Sequence, residues 1–155
     1  MLAIAEPRHM SRKEPTRMPK VSSASIVSTD SHYLHHIEAG HFKLDTDEPV
    51  KLGGKGTGPA PFDYYLASLA ACTAITLRMY AERKGWELGE FRAELQLDRD
   101  DEGRLHVMRT LHATGPLTDE QWDRLLEIVA NTPVTKAMRE GVDIASRRGD
   151  ISPST

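Results

Sequence analysis

Residues 53–85 read GGKGTGPAPFDYYLASLAACTAITLRMYAERKG, a glycine-rich entry followed by a long apolar segment with the chain's single cysteine, Cys72, near its middle. No charged side chain occurs from Tyr64 to Leu77. Small residues (Ala67, Ser68, Ala70, Ala71, Thr73, Ala74) alternate with large ones (Tyr65, Leu66, Leu69, Ile75, Leu77), which predicts a helix buried on most of its circumference. A bilayer span takes about 20 apolar residues. This run is shorter, rich in Ala, Ser and Thr, and closed by Arg78, Glu82, Arg83 and Lys84, so it reads as the core helix of a soluble domain. Pro61 suits its first turn and Gly85 its left-handed end, giving a helix from about Pro61 to Lys84 onto which Trp86 and Leu88 fold back.

The rest of the chain bounds what this helix can serve. The 155 residues fit one domain, expected over residues 21–146. Residues 1–20 carry Pro7, Pro15 and Pro19 among Arg8, Arg12, Lys13, Glu14, Arg17 and Lys20, a composition expected to form a disordered tail, with Met10 and Met18 as alternative starts. Residues 147–155 read as a polar C-terminal tail. A net charge of −3, from 20 basic and 23 acidic residues interspersed, supplies no single-sign field, so neither nucleic acid nor membrane is expected as a partner. One cysteine excludes an intramolecular disulfide and a multi-cysteine zinc site, and the N-terminus lacks the apolar core of a secretory signal. A reducing, cytoplasmic setting is expected.

Three strand signals precede the helix, Val21 to Ser28, Tyr33 to Glu38 and His41 to Asp45, parted by the turn chemistries Thr29-Asp30-Ser31 and Ala39-Gly40, which predicts an antiparallel meander. After it, Phe91, Ala93, Leu95 and Leu97 alternate with Arg92, Glu94, Gln96 and Asp98. Asp100 to Gly103 then turns the chain, and Leu105, Val107, Leu111 and Ala113 complete a hairpin. Thr118 and Gln121 form a capping box for a helix over 119–130. Thr132 is placed as the N-cap of a short helix that opens with Pro133 and closes at Gly141, with a last strand expected near Val142 to Ser146.

Cys72 is the leading candidate for chemistry. A buried lone cysteine can be an inert small hydrophobe. For it to react as a thiolate from the middle of a helix, the fold must bring a cation from elsewhere. The loop GGKGTG is not a P-loop, since Lys55 is followed by Gly56 rather than Ser or Thr, but its backbone could bind an anion at the helix start. Of the seven histidines, His32 and His36 stand four apart, but within the strand meander rather than on a helix, so neither metal nor cofactor is expected. Asp63 lies in the first turn of the helix, where the dipole favours a carboxylate whatever its function.

The run GTGPAPFDYYLASLAACTAITLRMYAERKGW, with DEP and GG before it and NTPVTKAM near the C-terminus, resembles the OsmC and organic hydroperoxide resistance family over roughly residues 33–146. The resemblance implies an α+β fold, with antiparallel sheets wrapped around central cysteine-bearing helices in an intertwined homodimer. It also implies reduction of organic hydroperoxides by a peroxidatic cysteine, matched by Cys72. A second cysteine belongs just before the Pro-Val, and an arginine from the N-terminal strands, with an acidic residue, polarises the first thiolate. Asp63 is the candidate for that acidic residue, one methylene shorter than the family's usual glutamate. Thr132 occupies the place of the second cysteine. The implied activity is therefore a one-cysteine reductase whose sulfenic acid an external thiol must reduce. The alternative is a non-peroxidatic dimer that binds a small apolar ligand between subunits.

Overall fold

The computed structural model describes residues 18–150; the expected tail over residues 1–17 and the last residues of the C-terminal one, 151–155, lie outside them. The described chain forms two compact units, divided between Gly58 and Pro59.

In the first unit, β1 (Ala24–Ser28), β2 (His35–Ala39) and β3 (Phe42–Thr46) form an antiparallel sheet in chain order, the expected meander. Thr29 sets the first turn: its hydroxyl donates to the Leu34 carbonyl at 2.8 Å and accepts from the Ser31 amide at 3.1 Å. The first strand begins three residues later than expected because β2 ends at Ala39, opposite Ala24, and beyond it the Ser23 carbonyl accepts from the Gly40 amide at 3.1 Å as the chain turns. Ile26, Ile37 and Leu44 stand in register across the sheet, yet the unit has no buried hydrophobic residue among those described, and Ile26 is 60% exposed.

In the second unit, α1 (Pro61–Lys84) is followed by the hairpin β4 (Phe91–Arg99) and β5 (Leu105–Ala113), then by α2 (Asp119–Val129) and α3 (Pro133–Glu140). Gly85 ends α1 at φ 67°, a left-handed conformation, and the Trp86 amide reaches back to the Ala81 carbonyl at 2.9 Å. Trp86 then packs edge-on against Tyr80, with ring centroids 5.6 Å apart. At the start of α2, Thr118 and Gln121 exchange hydrogen bonds of 2.9 and 3.2 Å as the capping box requires. The core is small: Leu77, Ala81, Leu88, Leu125 and Val129 are buried, with Phe91, Leu111 and Trp122 packed against them. Each buried leucine contributes about 2 kcal/mol.

Two expectations fail. Within this chain α1 buries one stripe, Leu69, Thr73, Leu77 and Ala81, rather than most of its circumference, and Ile75 on the opposite side is 60% exposed. A single hairpin and two short helices cover only one face of a helix of 24 residues. No strand forms near Val142 to Ser146: the sheet of this unit is β4 and β5 alone, so the segment has no ladder to join, and Ile144 is 86% exposed. Among the described residues no helix is long and apolar enough to cross a membrane.

Candidate active site around Cys72

Cys72 is half-buried at the middle of α1, on the border between the buried stripe and the open face. Its sulfur lies 3.9 Å from the hydroxyl of Thr76, one turn on. The next residue, Thr73, is fully buried and donates its hydroxyl to the Leu69 carbonyl at 2.7 Å, the local bond that a mid-helix threonine makes with its own preceding turn.

Onto Thr73 comes the guanidinium of Arg109 from β5. One terminal nitrogen donates to Thr73 Oγ1 at 2.7 Å and to Thr135 Oγ1 at 3.3 Å, and the other to the Val129 carbonyl at 2.8 Å. Burial pushes this guanidinium below the usual arginine range, and its electrostatic interaction with Cys72 works in the opposite direction. A cation is thus held on the residue next to Cys72, from a strand on which it was not sought. The family resemblance looked to the N-terminal strands, but no arginine occurs between Arg17 and Arg78. The signal lay in β5 itself: Arg109 interrupts the apolar series Leu105, Val107, Leu111, Ala113, on the inward register, opposite Leu95 of β4.

Thr132, in the place of the family's second cysteine, is 2% exposed. It precedes α3 with extended backbone, as an N-cap does, but makes no side-chain bond to a backbone amide; its hydroxyl pairs with that of Thr135 at 2.7 Å. The expected capping bond is thus replaced by a side-chain contact that leads to Arg109. Asp63, exposed in the first turn of α1, accepts a hydrogen bond from the Ala60 amide at 2.8 Å and so closes the helix start. Among the described residues it has no ion-pair partner. Beside Arg109 a cavity of about 400 Å³ is lined by Tyr65, Leu69, Leu105, Val107 and Met138, with His106 and Arg139 at its polar side.

The glycine loop, weighed above as an anion site, holds an anion of its own chain. Asp47 is buried, and one carboxylate oxygen accepts from the amides of Lys55 and Thr57, each at 3.1 Å, and from the Thr57 hydroxyl at 2.8 Å; the other accepts from the Glu48 amide at 2.8 Å. Burial raises the Asp47 pKa, but the bonds from Thr57, Glu48 and Lys55 outweigh it and hold the carboxyl below its ordinary range. Gly54 is required where the loop closes, since a Cβ there would sit 1.8 Å from the Glu48 carbonyl oxygen. The strand histidines pair with surface carboxylates, His36 with Asp45 at 2.7 Å and His106 with Asp100 at 2.8 Å. Among the described residues no three His, Cys, Asp or Glu side chains gather as a metal set.

The profile of the family described as OsmC-like protein matches residues 54–147, which span α1, the hairpin and both short helices. Among solved structures, a protein of Psychrobacter arcticus aligns with a TM-score of 0.67 at 19% identity, over 77% of this chain and 90% of its own. An organic hydroperoxide resistance protein OsmC of Legionella pneumophila aligns with a TM-score of 0.58 at 25% identity, over 82% of this chain and 95% of its own. An organic hydroperoxide resistance protein of Elizabethkingia anophelis, with thiocyanate bound, aligns with a TM-score of 0.56 at 20% identity, over 79% and 91% respectively. A comparison with curated proteins found no match.

Proposed function

The chain belongs to the OsmC-like protein family, and from that premise we propose that it is a thiol-dependent organic hydroperoxide reductase of the stress response, working in the cytoplasm through Cys72 as its single peroxidatic cysteine. The observation that carries this reading is a half-buried thiol at mid-helix, next in the chain to Thr73, whose hydroxyl receives the guanidinium of Arg109 at 2.7 Å. The Cys72 thiolate attacks the distal oxygen of the hydroperoxide, the O–O bond breaks, and the alkoxide leaves and takes up a proton as the alcohol. Cys72 becomes a sulfenic acid. With Thr132 where a second thiol would stand, an external thiol condenses with the sulfenic acid, releasing water, and a second thiol displaces the mixed disulfide to regenerate Cys72. Asp63 serves the site by fixing the first turn of α1.

The working form is a homodimer with α1 of each copy at its centre and one domain per copy over residues 21–146. Its support is the apolar surface that one chain leaves open: Phe62, Ile75 and Met79 on α1 and the Ile26 row of the sheet. Light scattering is expected to give twice the chain mass, and a stable folded monomer overturns the assembly.

Treating the reduced protein with an organic hydroperoxide and following intact mass tests the chemistry. The expected result is rapid, stoichiometric addition of one oxygen at Cys72, turnover when a dithiol is supplied, and neither in Cys72→Ser. A thiol that oxidises no faster than free cysteine overturns the reading. That result favours the second one, a non-peroxidatic dimer whose apolar cavity beside Tyr65, Leu69 and Met138 takes a small apolar ligand.

A further inference from the structure

We infer that the cavity beside Arg109 is a binding site for an organic acid, a monocarboxylate with a compact apolar body, and that Arg109 is the group that receives the carboxylate. This gives a charged end to the small ligand of the second reading, on which it rests, and it does not depend on Cys72 as a nucleophile.

The cavity holds about 400 Å³, a size within the roughly 300–1,000 Å³ of small-molecule sites. Its walls come from three elements: Tyr65 and Leu69 of α1, Leu105 and Val107 of β5, and Met138 of α3. Such walls favour an apolar body. Set among them are Arg109, Arg139 and His106, and among the described residues no acidic side chain belongs to the lining.

Two of these three basic groups are committed elsewhere. His106 is held by Asp100 at 2.8 Å, and Arg139 donates to the Ala130 carbonyl at 2.8 Å and lies 3.7 Å from Glu140. Arg109 differs. Its acceptors are the hydroxyls of Thr73 and Thr135 and the carbonyl of Val129, all neutral, and among the described residues no carboxylate pairs with it. Charges withdrawn from water are ordinarily paired. Tying β5 to α1, α2 and α3 needs donors but no net charge, so that structural role leaves the charge unaccounted for.

Donor arithmetic shows what the ligand would meet. A guanidinium has five N–H donors in a planar fork. Nη1 serves the two threonines and Nη2 the Val129 carbonyl, so the Nε hydrogen and a second hydrogen of Nη2 are left without an acceptor among the described residues. Nε and Nη2 share one edge of the guanidinium. Two donors on one edge match the two oxygens of a carboxylate, which accepts them as parallel, charge-assisted hydrogen bonds.

The test is calorimetric titration of the full chain, reduced and without hydroperoxide, with phenylacetate, phenethyl alcohol and acetate. Phenylacetate is expected to occupy one site per chain and to bind about tenfold tighter than the alcohol, the scale of one hydrogen-bonded charge pair. It should exceed acetate by about tenfold as well, since acetate lacks the apolar body. Arg109→Gln removes the preference for acid over alcohol, Arg109→Lys keeps part of it by retaining the charge without the fork, and Arg139→Gln keeps most of it. Circular dichroism melts establish that each variant folds. Were Arg109 only a structural tie, Arg109→Gln would lower the melting temperature and leave the preference intact. That result overturns the inference, as does wild-type protein that binds the alcohol as tightly as the acid or does not bind the acid. Should Arg109→Gln not fold, methyl chemical shifts of the wild type decide: changes on adding phenylacetate centred on Leu69, Val107 and Met138 support the site, and changes centred elsewhere overturn it. Acid binding by a protein that fails to turn over hydroperoxide removes the proposed activity and leaves this site, whereas turnover without acid binding does the reverse.

Discussion

Asp47 in the first unit and Arg109 in the second are both shielded charges, and their surroundings satisfy them in opposite ways. Asp47 accepts four hydrogen bonds from residues within ten positions of it, and its loop closes around it. Arg109 reaches across 20, 26 and 36 positions to neutral acceptors on three different elements. The first arrangement spends the charge on holding a loop. The second holds its charge on neutral acceptors, one of them on the residue next to the one thiol in the chain. Among the described residues, the unit around Asp47 buries no hydrophobic side chain, whereas the unit around Arg109 has the apolar core. An apolar core can hold a charge on neutral acceptors from distant elements, whereas the polar cradle matches its charge with amides close by in the chain.

Substitutions can break that contrast. Leu77→Ala, at a fully buried position, is expected to cost about 3 kcal/mol in denaturant unfolding; a cost below about 1 kcal/mol would mean that the core is not what holds the second unit. Ile26→Ala asks what covers the sheet of the first. Covered by a second copy, it should lose about 1–3 kcal/mol with the loss dependent on protein concentration, while a cost below about 0.5 kcal/mol would leave the sheet exposed in solution and break the homodimer. Asp47→Asn removes the charge that collects the loop amides, and hydrogen exchange should show protection lost at Lys55 and Thr57 but kept through α2. Unchanged protection at both amides would take the loop's order away from Asp47.

The smallest effect is in the pH dependence. In the second unit Asp100 is held at about 2, below its ordinary 3.8, first by the hydrogen bond from His106 and next by the Arg104 amide, against an opposing contribution from burial. Asp47 is lowered as well. A carboxyl lowered on folding stabilises the protein above its unfolded value and loses that contribution as pH falls through the folded one. Both units should therefore lose stability below about pH 4, the contribution of Asp100 disappearing by about pH 2. Thermal melts along an acid series should show Asp100→Asn flattening this limb, and Asp47→Asn flattening it independently; an unaltered limb in both would assign acid sensitivity elsewhere.

Much of the fold was legible without coordinates because its signals are local. The uncharged run with Pro61 and Gly85 at its ends gave α1 its bounds, the period-two series gave the hairpin, and Thr118 with Gln121 marked the start of α2. Caps and periodicities act over three or four residues, so a single chain states them. The strand expected at Val142 to Ser146 failed because a strand exists only with a neighbour, and pairing is not a property of the segment. The same holds for the site. From the sequence, Cys72 could be named as a thiol at mid-helix in need of a cation, and Thr132 as the residue standing where a second thiol would be. That Arg109 reaches the residue beside Cys72 was decided only when β5, the end of α2 and the start of α3 came together around Thr73, because such contacts follow distance in space and Arg109 is far from Thr73 along the chain.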